Sequence, residues 1–249
     1  MDLNEKLTDL KLHYLASNLD SFLSGTKDSQ IALDTISRMA DLELMDKSSR
    51  TTERRLKAAN IGIFKPMDQF DWGWTEGIDR ILVERLLKLD FLSKKRNIIL
   101  AGAQGLGKTM LAQNLAYQAA ANGHTTIFTT ASKLVLELSS QESGAALQRK
   151  LLKYERTKLL VIDELGYLNF TDRAADLIFE IINRRYEKGS IIITTNLAFT
   201  DWHKVFPGAP CVTAMVDRLT HHAEIIKLSG ASYRRKEAKE GKKERKNGR

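Results

Sequence analysis

Apolar residues in the N-terminal part of the chain recur near helical spacing. Two such series are present: Leu7, Leu10, Leu15 and Leu19, then Ile31, Leu33, Ile36 and Met39. No alternating pattern typical of a strand interrupts them. We therefore predict a small all-helical N-terminal domain over residues 1–64, which ends before Pro66 because proline breaks a helix.

After this connector, short apolar runs alternate with longer amphipathic segments. The runs that we expect to be buried strands cover residues 97–101, 125–130, 159–163, 191–195 and 224–228. The clearest helices between them cover residues 109–122 and 174–188. Buried strands that alternate with helices are typical of a parallel sheet covered on both faces. We predict an α/β domain over residues 65–232, with a five-stranded parallel sheet flanked by helices.

Positive charge is concentrated at the C-terminal end. The net charge is +8, and residues 233–249 hold nine Lys or Arg against three Glu, so they contribute +6 of it. This segment is short of apolar residues, and we predict a basic tail that is either disordered or the solvated end of a helix. The tail either adds non-specific affinity for a polyanion such as DNA or only keeps the protein in solution.

The apolar runs are too short for a membrane protein. No run reaches the roughly 18 to 20 consecutive apolar residues that a spanning helix needs. The charged residues Asp2, Glu5 and Lys6 are unlike the start of a secretory signal. We expect a cytoplasmic protein without membrane contact.

A complete phosphate-binding motif follows the first predicted strand. It reads Gly102, Ala103, Gln104, Gly105, Leu106, Gly107, Lys108 and Thr109. This is the P-loop pattern, in which backbone N–H groups and a helix N-terminus surround phosphate oxygens. Lys108 is expected to reach the β- and γ-phosphates of ATP, and the Thr109 hydroxyl is expected to bind Mg²⁺.

Two later strands carry polar residues to the same edge of the predicted sheet. The strand at 159–163 ends in Asp163, followed by Glu164, and Asn196 follows the strand at 191–195. We expect Asp163 to hold Mg²⁺ through water and Glu164 to orient or deprotonate the attacking water. Asn196 either positions that water or is an ordinary turn residue. The set predicts hydrolysis of ATP to ADP and phosphate.

Hydrolysis also needs positive charge at the transition state, which a neighbouring subunit often supplies as an arginine. Arg218 is our first candidate, because it lies between the Asn196 strand and the last predicted strand. Arg184 and Arg185, near the end of the preceding predicted helix, are its rivals. A surface salt bridge is the alternative interpretation of each arginine.

These motifs resemble the initiator-type AAA+ ATPases and, more narrowly, the IstB-like helper ATPases of bacterial insertion sequences. The segments that carry the resemblance are Phe70-Asp71-Trp72, GAQGLGKT, LLVIDELG, Ile182-Asn183-Arg184-Arg185-Tyr186, ITTN, and Asp217-Arg218-Leu219 followed by His221-His222. The resemblance implies an ATP-dependent homo-oligomer that binds duplex DNA and recruits or stimulates a cognate transposase. It also implies that Glu164 acts in hydrolysis, Asn196 as a sensor and Arg218 as a finger in trans.

Few residues follow the last predicted strand, which ends near Leu228. We therefore expect no C-terminal helical lid of the kind that many AAA+ proteins carry. A neighbouring subunit is expected to cover the nucleotide instead. Arg234 or Arg235 is the candidate substitute for the lid arginine.

Two features outside the nucleotide site bear on binding. If residues 47–59 form a helix, Arg50, Arg54 and Lys57 share one face and Arg55 lies beside them. This basic stripe is either a contact for the DNA backbone or a solvated face. The pair His221-His222 resembles a metal site only superficially, because neighbours on a helix point in different directions, and packing or DNA contact is preferred.

Two other functions share parts of the pattern. A replicative helicase loader has a similar ATPase core, but it would prefer single-stranded DNA, whereas a transposition helper would prefer duplex. The N-terminal part lacks a cysteine–histidine cluster, which disfavours the loaders that use one. A metabolic P-loop kinase needs a lid and an acceptor pocket, and the Asp-Glu pair instead favours water as the acceptor.

Overall fold

A computed structural model of the chain describes residues 1–76, 78–166, 171–206, 210–233 and 235–236. It divides into two compact units, Met1–Arg54 and Arg55–Arg249. This division lies N-terminal to the domain boundary after residue 64 that the sequence predicts. Arg234 and most of the predicted basic tail lie outside the described residues.

The N-terminal unit is helical, as predicted. Its helices are α1 (Leu3–Asp9), α2 (His13–Ser17), α3 (Leu19–Leu23) and the long α4 (Ser29–Ala59), which continues beyond the unit. A capping box starts α1, since the Asp2 carboxylate accepts from the Glu5 N–H and the Glu5 carboxylate accepts from the Asp2 N–H. Leu7 is buried, but Ile31 in the second predicted apolar series is 65% exposed. Met39 is equally exposed, whereas Leu33 and Ile36 are half-buried, so the spacing of that series marks a face that is only partly buried.

The second unit has the predicted alternation of strands and helices. In chain order its elements are α5 (Arg80–Leu87), α6 (Asp90–Ser93), β1 (Asn97–Gly102), α7 (Lys108–Ala121), β2 (Thr126–Thr130), α8 (Ala131–Ser139), α9 (Gly144–Arg156), β3 (Leu159–Leu165), α10 (Asp172–Arg185), β4 (Ser190–Thr195), α11 (Trp202–Val205), α12 (Val212–Thr220) and β5 (Ala223–Leu228). All five predicted strands are present near their predicted positions. Short 3₁₀ turns occur at Met67–Gln69 and Phe199–Asp201.

The five strands form one parallel sheet in the order β2-β3-β4-β1-β5. Because all strands run in the same direction, their C-terminal ends lie at one edge. The P-loop leaves β1 at this edge, and β3 and β4 end beside it. The strand order thus brings together three segments that are far apart in the sequence.

Apolar side chains fill both faces of the sheet. Ile98 and Leu100 of β1 belong to a cluster with residues of α5 and α7, whereas Ile99 belongs to a cluster with residues of α8, α10 and α12. Successive residues of a strand point to opposite faces. A strand covered on both faces must therefore be apolar throughout, which explains the uninterrupted apolar runs in the sequence.

The chain returns to the P-loop after β5. We call residues 229–233 and 235–236 the C-terminal strap. Its backbone pairs with Glu76 through Ser229, and the indole N–H of Trp74 donates to the Ala231 carbonyl at 2.7 Å. The described residues of the strap form no helical lid domain. No helix within the described part of the chain is long and apolar enough to cross a membrane.

Candidate nucleotide-binding site

The P-loop is held in a tight conformation between the strap and an aromatic ring. Gly105 and Gly107 both have positive φ, 78° and 89°. A Cβ on Gly105 would lie 2.2 Å from the Ser232 Oγ, and one on Gly107 would lie 2.5 Å from the Phe70 ring. These positions therefore require glycine for both backbone conformation and space. Because Gly105 and Gly107 have no side chains, the loop backbone is free to surround an anion.

Lys108 is the first residue of α7 and is 5% exposed. Its Nζ donates to the carbonyls of Gly102 at 2.7 Å and Ala103 at 2.6 Å. The loop itself thus holds the ammonium group at the start of the helix. An anion bound in the loop would gain the charge of Lys108 and the positive end of the α7 dipole.

Thr109 and Asp163 meet across the sheet edge. The Thr109 hydroxyl donates to Asp163 Oδ1 at 3.2 Å, and the Thr194 hydroxyl donates to the same oxygen. Burial raises the pKa of the Asp163 carboxyl above its usual value, although these hydroxyls and the charge of Lys108 act to lower it. A buried carboxylate beside a hydroxyl is a set of oxygen ligands that fits a hard cation such as Mg²⁺. Thr194 was not among the residues predicted from the sequence.

Glu164 is directed by an irregularity in β3. Ile162 lies opposite Ile193, but Leu165 lies opposite Thr195, so β3 has one more residue than β4 between these pairs. Glu164 lies in this bulge with φ of 62°, and its N–H donates to the Thr194 hydroxyl at 2.9 Å. The bulge turns the exposed Glu164 side chain into the wall of the nucleotide cleft.

A cleft of about 350 Å³ opens between the P-loop and the connector before α5. Beyond the P-loop residues and Glu164, its walls include Ile63, Lys65, Gln69, Phe70, Thr75, Met110, Gln113 and Tyr233. This volume is within the range of small-ligand sites, which is roughly 300–1,000 Å³. The combination of an apolar part and a phosphate loop suits a nucleotide, with the base against the apolar part.

Side chains of α7 hold the connector that forms one wall. The Gln113 amide donates to the carbonyls of Ile61 at 2.9 Å and Ile63 at 3.0 Å, and the Asn114 amide donates to that of Lys65 at 2.9 Å. The same helix therefore provides the phosphate end of the cleft and fixes its opposite wall. The sequence contains no recognisable motif for these contacts.

Asn196 follows β4, as predicted, at the edge where the P-loop lies. Its Oδ1 is buried, and no hydrogen-bond partner for it is found among the described residues. A Cβ on Gly166 would lie 2.9 Å from this oxygen, so the glycine after β3 makes room for the amide. A buried amide oxygen of this kind is suited to a water molecule.

The three candidate arginines have different surroundings. Arg218 is half-buried, with its guanidinium 5.1 Å from the centre of the Phe179 ring and a bond to the Ala214 carbonyl. Arg184 binds the carboxylates of Glu180 and Glu155. Arg218 is not among the residues that line the cleft of its own chain.

Arg185 is 1% exposed and serves as an internal hydrogen-bond donor. It donates to the backbone carbonyls of Tyr154, Glu155, Thr157, Lys158 and Ser190. Burial lowers its pKa to about 10, so the guanidinium stays protonated at neutral pH. These contacts tie the end of α10 to α9, to the turn between α9 and β3, and to the start of β4. They leave Arg185 no access to a neighbouring subunit.

The basic stripe lies on a helix, since α4 includes Arg50, Arg54, Arg55 and Lys57. Arg50, Arg54 and Lys57 are exposed, and Arg55 is half-buried. Arg50 binds the exposed carboxylates of Glu43 at 3.1 Å and Asp46 at 2.7 Å. Such exposed pairs are weak, so they do not prevent Arg50 from binding a phosphate. The role of the stripe stays a prediction.

A parallel sheet in the order 2-3-4-1-5, with a P-loop after β1 and an acidic pair at the end of β3, defines an AAA+ ATP-binding protein. More particularly, the chain belongs to the family of IstB-like ATP binding proteins, whose family profile it matches over residues 5–241. The resemblance inferred from the sequence motifs is therefore confirmed.

Curated relatives come from bacterial insertion sequences. The chain is 36% identical to an ATP-binding protein of insertion sequence IS21 from Pseudomonas aeruginosa, over 95% of this chain and 89% of the relative. It is also 36% identical to an ATP-binding protein of IS5376 from Geobacillus stearothermophilus, over 80% of each. In fold it is similar to the DnaC helicase loader, with a TM-score of 0.52 and 19% identity over 70% of this chain and 99% of the loader.

Proposed function

We propose that this protein is a Mg²⁺-dependent ATPase that oligomerises on duplex target DNA and recruits or stimulates the transposase of its insertion sequence. The observation that carries the proposal is the position of Glu164, which a β-bulge directs into the cleft beside Lys108. A carboxylate at this position distinguishes a hydrolytic site from a site that only holds nucleotide. The relatives from insertion sequences supply the biological setting.

Each site residue has a role in this proposal. The P-loop N–H groups and Lys108 bind the phosphates, and Thr109 and Asp163 hold Mg²⁺. The ion neutralises charge on the β- and γ-phosphates when it is bound. Glu164 accepts a proton from the attacking water, and Asn196 orients that water through its amide.

Binding of duplex DNA is proposed from charge on exposed positions. The side chains of Arg50, Arg54 and Lys57 are spaced i, i+4 and i+7 on α4, so they form one face. Each basic residue that neutralises a phosphate releases a counterion, which makes the affinity depend on salt. The basic residues after the strap would add to this affinity without sequence preference.

The central experiment measures binding of the purified protein to labelled duplex and single-stranded DNA with ATP, with ADP and without nucleotide. Complex size is read by light scattering together with affinity. We expect large complexes on duplex that require ATP and that the variant Glu164→Gln traps. The proposal would be contradicted if duplex binding were independent of ATP and the protein stayed monomeric. Small complexes that prefer single strands would indicate a helicase loader.

The basic stripe is tested separately by charge reversal. Arg54→Glu combined with Lys57→Glu is expected to weaken duplex binding and to reduce its salt dependence by about two counterions. Lys94→Glu is the control, because Lys94 is exposed and lies outside the stripe. Equal effects of the two changes would remove the stripe from the proposal and leave the ATPase assignment intact.

A further inference from the structure

We propose that Glu187, His221 and His222 form a surface binding site for a divalent transition metal ion such as Zn²⁺. All three side chains are exposed, and one ligand atom from each lies within 4.8 Å of the others. Imidazole nitrogen and carboxylate oxygen are ordinary zinc ligands. The site lies where β4 and β5 begin, so it is at the opposite edge of the sheet from the nucleotide cleft.

The two histidines are not presented as consecutive residues of a helix. α12 ends at Thr220, so His221 caps the helix and His222 lies in the turn that leads to β5. Their ring centroids are 3.9 Å apart, with 34° between the ring planes. Neighbouring residues on a helix point in different directions, but these two rings lie side by side, so that argument against a metal site does not apply.

The backbone on both sides of the cluster is fixed. The Asn97 N–H donates to the His222 carbonyl at 2.9 Å, and the Asn97 amide donates to the Leu219 carbonyl at 3.1 Å. Glu187 has φ of 57° in a turn closed by bonds from the Lys188 and Gly189 N–H groups to the Arg185 carbonyl. Since neither turn has to be ordered on binding, the ligands are largely preorganised.

Tyr186 orients one of the rings. Its hydroxyl lies 2.6 Å from His221 Nδ1 and forms a hydrogen bond with it. When Nδ1 carries the proton and donates to the Tyr186 oxygen, Nε2 has a free lone pair and is able to bind a metal. Metal-binding histidines commonly have such a partner on the other nitrogen. Tyr186 is therefore the positioning residue of the proposed site.

The spacing of the ligands fits a cation better than a direct contact. His222 Nε2 is 3.8 Å from Glu187 Oε1, which is too long for a hydrogen bond. With metal–ligand bonds of about 2.1 Å, two ligands of a tetrahedral ion lie roughly 3.4 Å apart. Small rotations of exposed side chains bring all three atoms into this range. Three protein ligands leave one position for water.

The test is metal binding by untagged full-length protein, freed of metal with a chelator and measured without nucleotide. Zn²⁺ is titrated in competition with a chromophoric chelator, and Co²⁺ is used for its visible spectrum. The protein carries Asp163→Asn in a parallel series so that the proposed nucleotide-site cation does not contribute. We expect one Zn²⁺ per chain in both series and a Co²⁺ spectrum of low coordination number.

Matched variants decide between a metal site and a surface ion pair. His221→Ala, His222→Ala and Glu187→Gln should each weaken Zn²⁺ binding at least tenfold, and Tyr186→Phe roughly 10-fold through loss of orientation. His203→Ala is the control, because His203 is exposed and outside the cluster. Absence of stoichiometric binding, or equal affinity in His203→Ala and His222→Ala, would overturn the proposal. Thermal melts confirm that each variant is folded.

Discussion

The Thr109 hydroxyl lies 3.2 Å from Asp163 Oδ1 and donates a hydrogen bond to it. This bond joins the first turn of α7 to the end of β3, and Thr194 of β4 donates to the same oxygen. Two segments of the proposed magnesium site are therefore in direct contact. The arrangement costs stability, since it keeps a carboxylate 4% exposed at the sheet edge.

The first prediction is that Asp163→Asn stabilises the protein without nucleotide. Burial raises the pKa of Asp163, so the folded state binds a proton more tightly than the unfolded state does. Stability should therefore fall as pH rises from the ordinary aspartate pKa through the raised pKa, and stay lower above it. Asparagine keeps the acceptor oxygen and has no such charge. We expect its Tm at neutral pH to rise by about 2–4 °C.

Thermal melts of both proteins over a pH series measure this effect. The difference in Tm between Asp163→Asn and the wild type should shrink at acidic pH, where the wild-type carboxyl is protonated. Addition of Mg²⁺ and ATP should raise the Tm of the wild type much more than that of Asp163→Asn. A variant that is less stable than the wild type at every pH would refute the argument.

The second prediction concerns Glu164→Gln. The Glu164 side chain is exposed, and the bond to the Thr194 hydroxyl is made by the Glu164 backbone N–H, which the variant keeps, so the fold should be unaffected. Loss of a general base lowers the rate of hydrolysis by roughly 10²–10⁴-fold. Affinity for ATP should change little. Rapid-mix phosphate release and equilibrium nucleotide binding give these two quantities, with Glu142→Gln as the exposed control.

The sequence predicted the sheet and the P-loop well because both depend on local patterns. Uninterrupted apolar runs identified the strands, and the P-loop is contiguous. The position of Glu164 at the nucleotide cleft is expected from the Asp-Glu motif, but the bulge that directs it there is not, since it depends on an extra residue in β3 relative to β4. The contacts of Gln113 with the connector and of the strap with Gly105 join residues distant in sequence. Such pairings have no periodic signal.

The third prediction separates Arg184 from Arg185. Arg185→Met removes the donor from several buried carbonyls, and we expect it to destabilise the protein by about 3–5 kcal/mol. Arg184→Met removes partly exposed ion pairs and should cost only about 0–1 kcal/mol. Urea unfolding measures both changes. If Arg184→Met abolished ATP hydrolysis at full stability, Arg184 would replace Arg218 as the finger candidate.

The fourth prediction is that the C-terminal strap supports nucleotide binding. The Tyr233 N–H donates to the Gly105 carbonyl at 2.8 Å, and Lys236 binds Asp71 at 2.9 Å. The Lys236 ammonium also lies 4.7 Å from the Trp74 ring centroid. Lys236→Ala should loosen the strap and raise the Kd for ATP roughly two- to fivefold, with turnover of bound ATP unchanged.

A double-mutant cycle tests this mechanism through nucleotide titrations. Asp71→Asn and Lys236→Ala should each weaken ATP binding, and the double variant should be little worse than either single one. Lys94→Ala serves as a control for a change of net charge. Fully additive effects would show that the two residues do not act through their ion pair.

The last prediction tests Arg218 as a residue that acts on a neighbouring subunit. Among the described residues, Arg218 bonds to the Ala214 carbonyl and lies over the Phe179 ring. Because its side chain is only half-buried, Arg218→Ala should leave the fold nearly as stable. If Arg218 completes the site of a neighbour, the variant should lose roughly 10³-fold in ATP hydrolysis on duplex DNA. Mixing Arg218→Ala with Glu164→Gln, each inactive alone, should then restore activity, because an Arg218→Ala subunit keeps Glu164 and receives Arg218 from its Glu164→Gln neighbour. Phosphate release across a series of mixing ratios should pass through a maximum. Activity that stays flat in mixtures shown to co-assemble would place Arg218 outside the catalytic site.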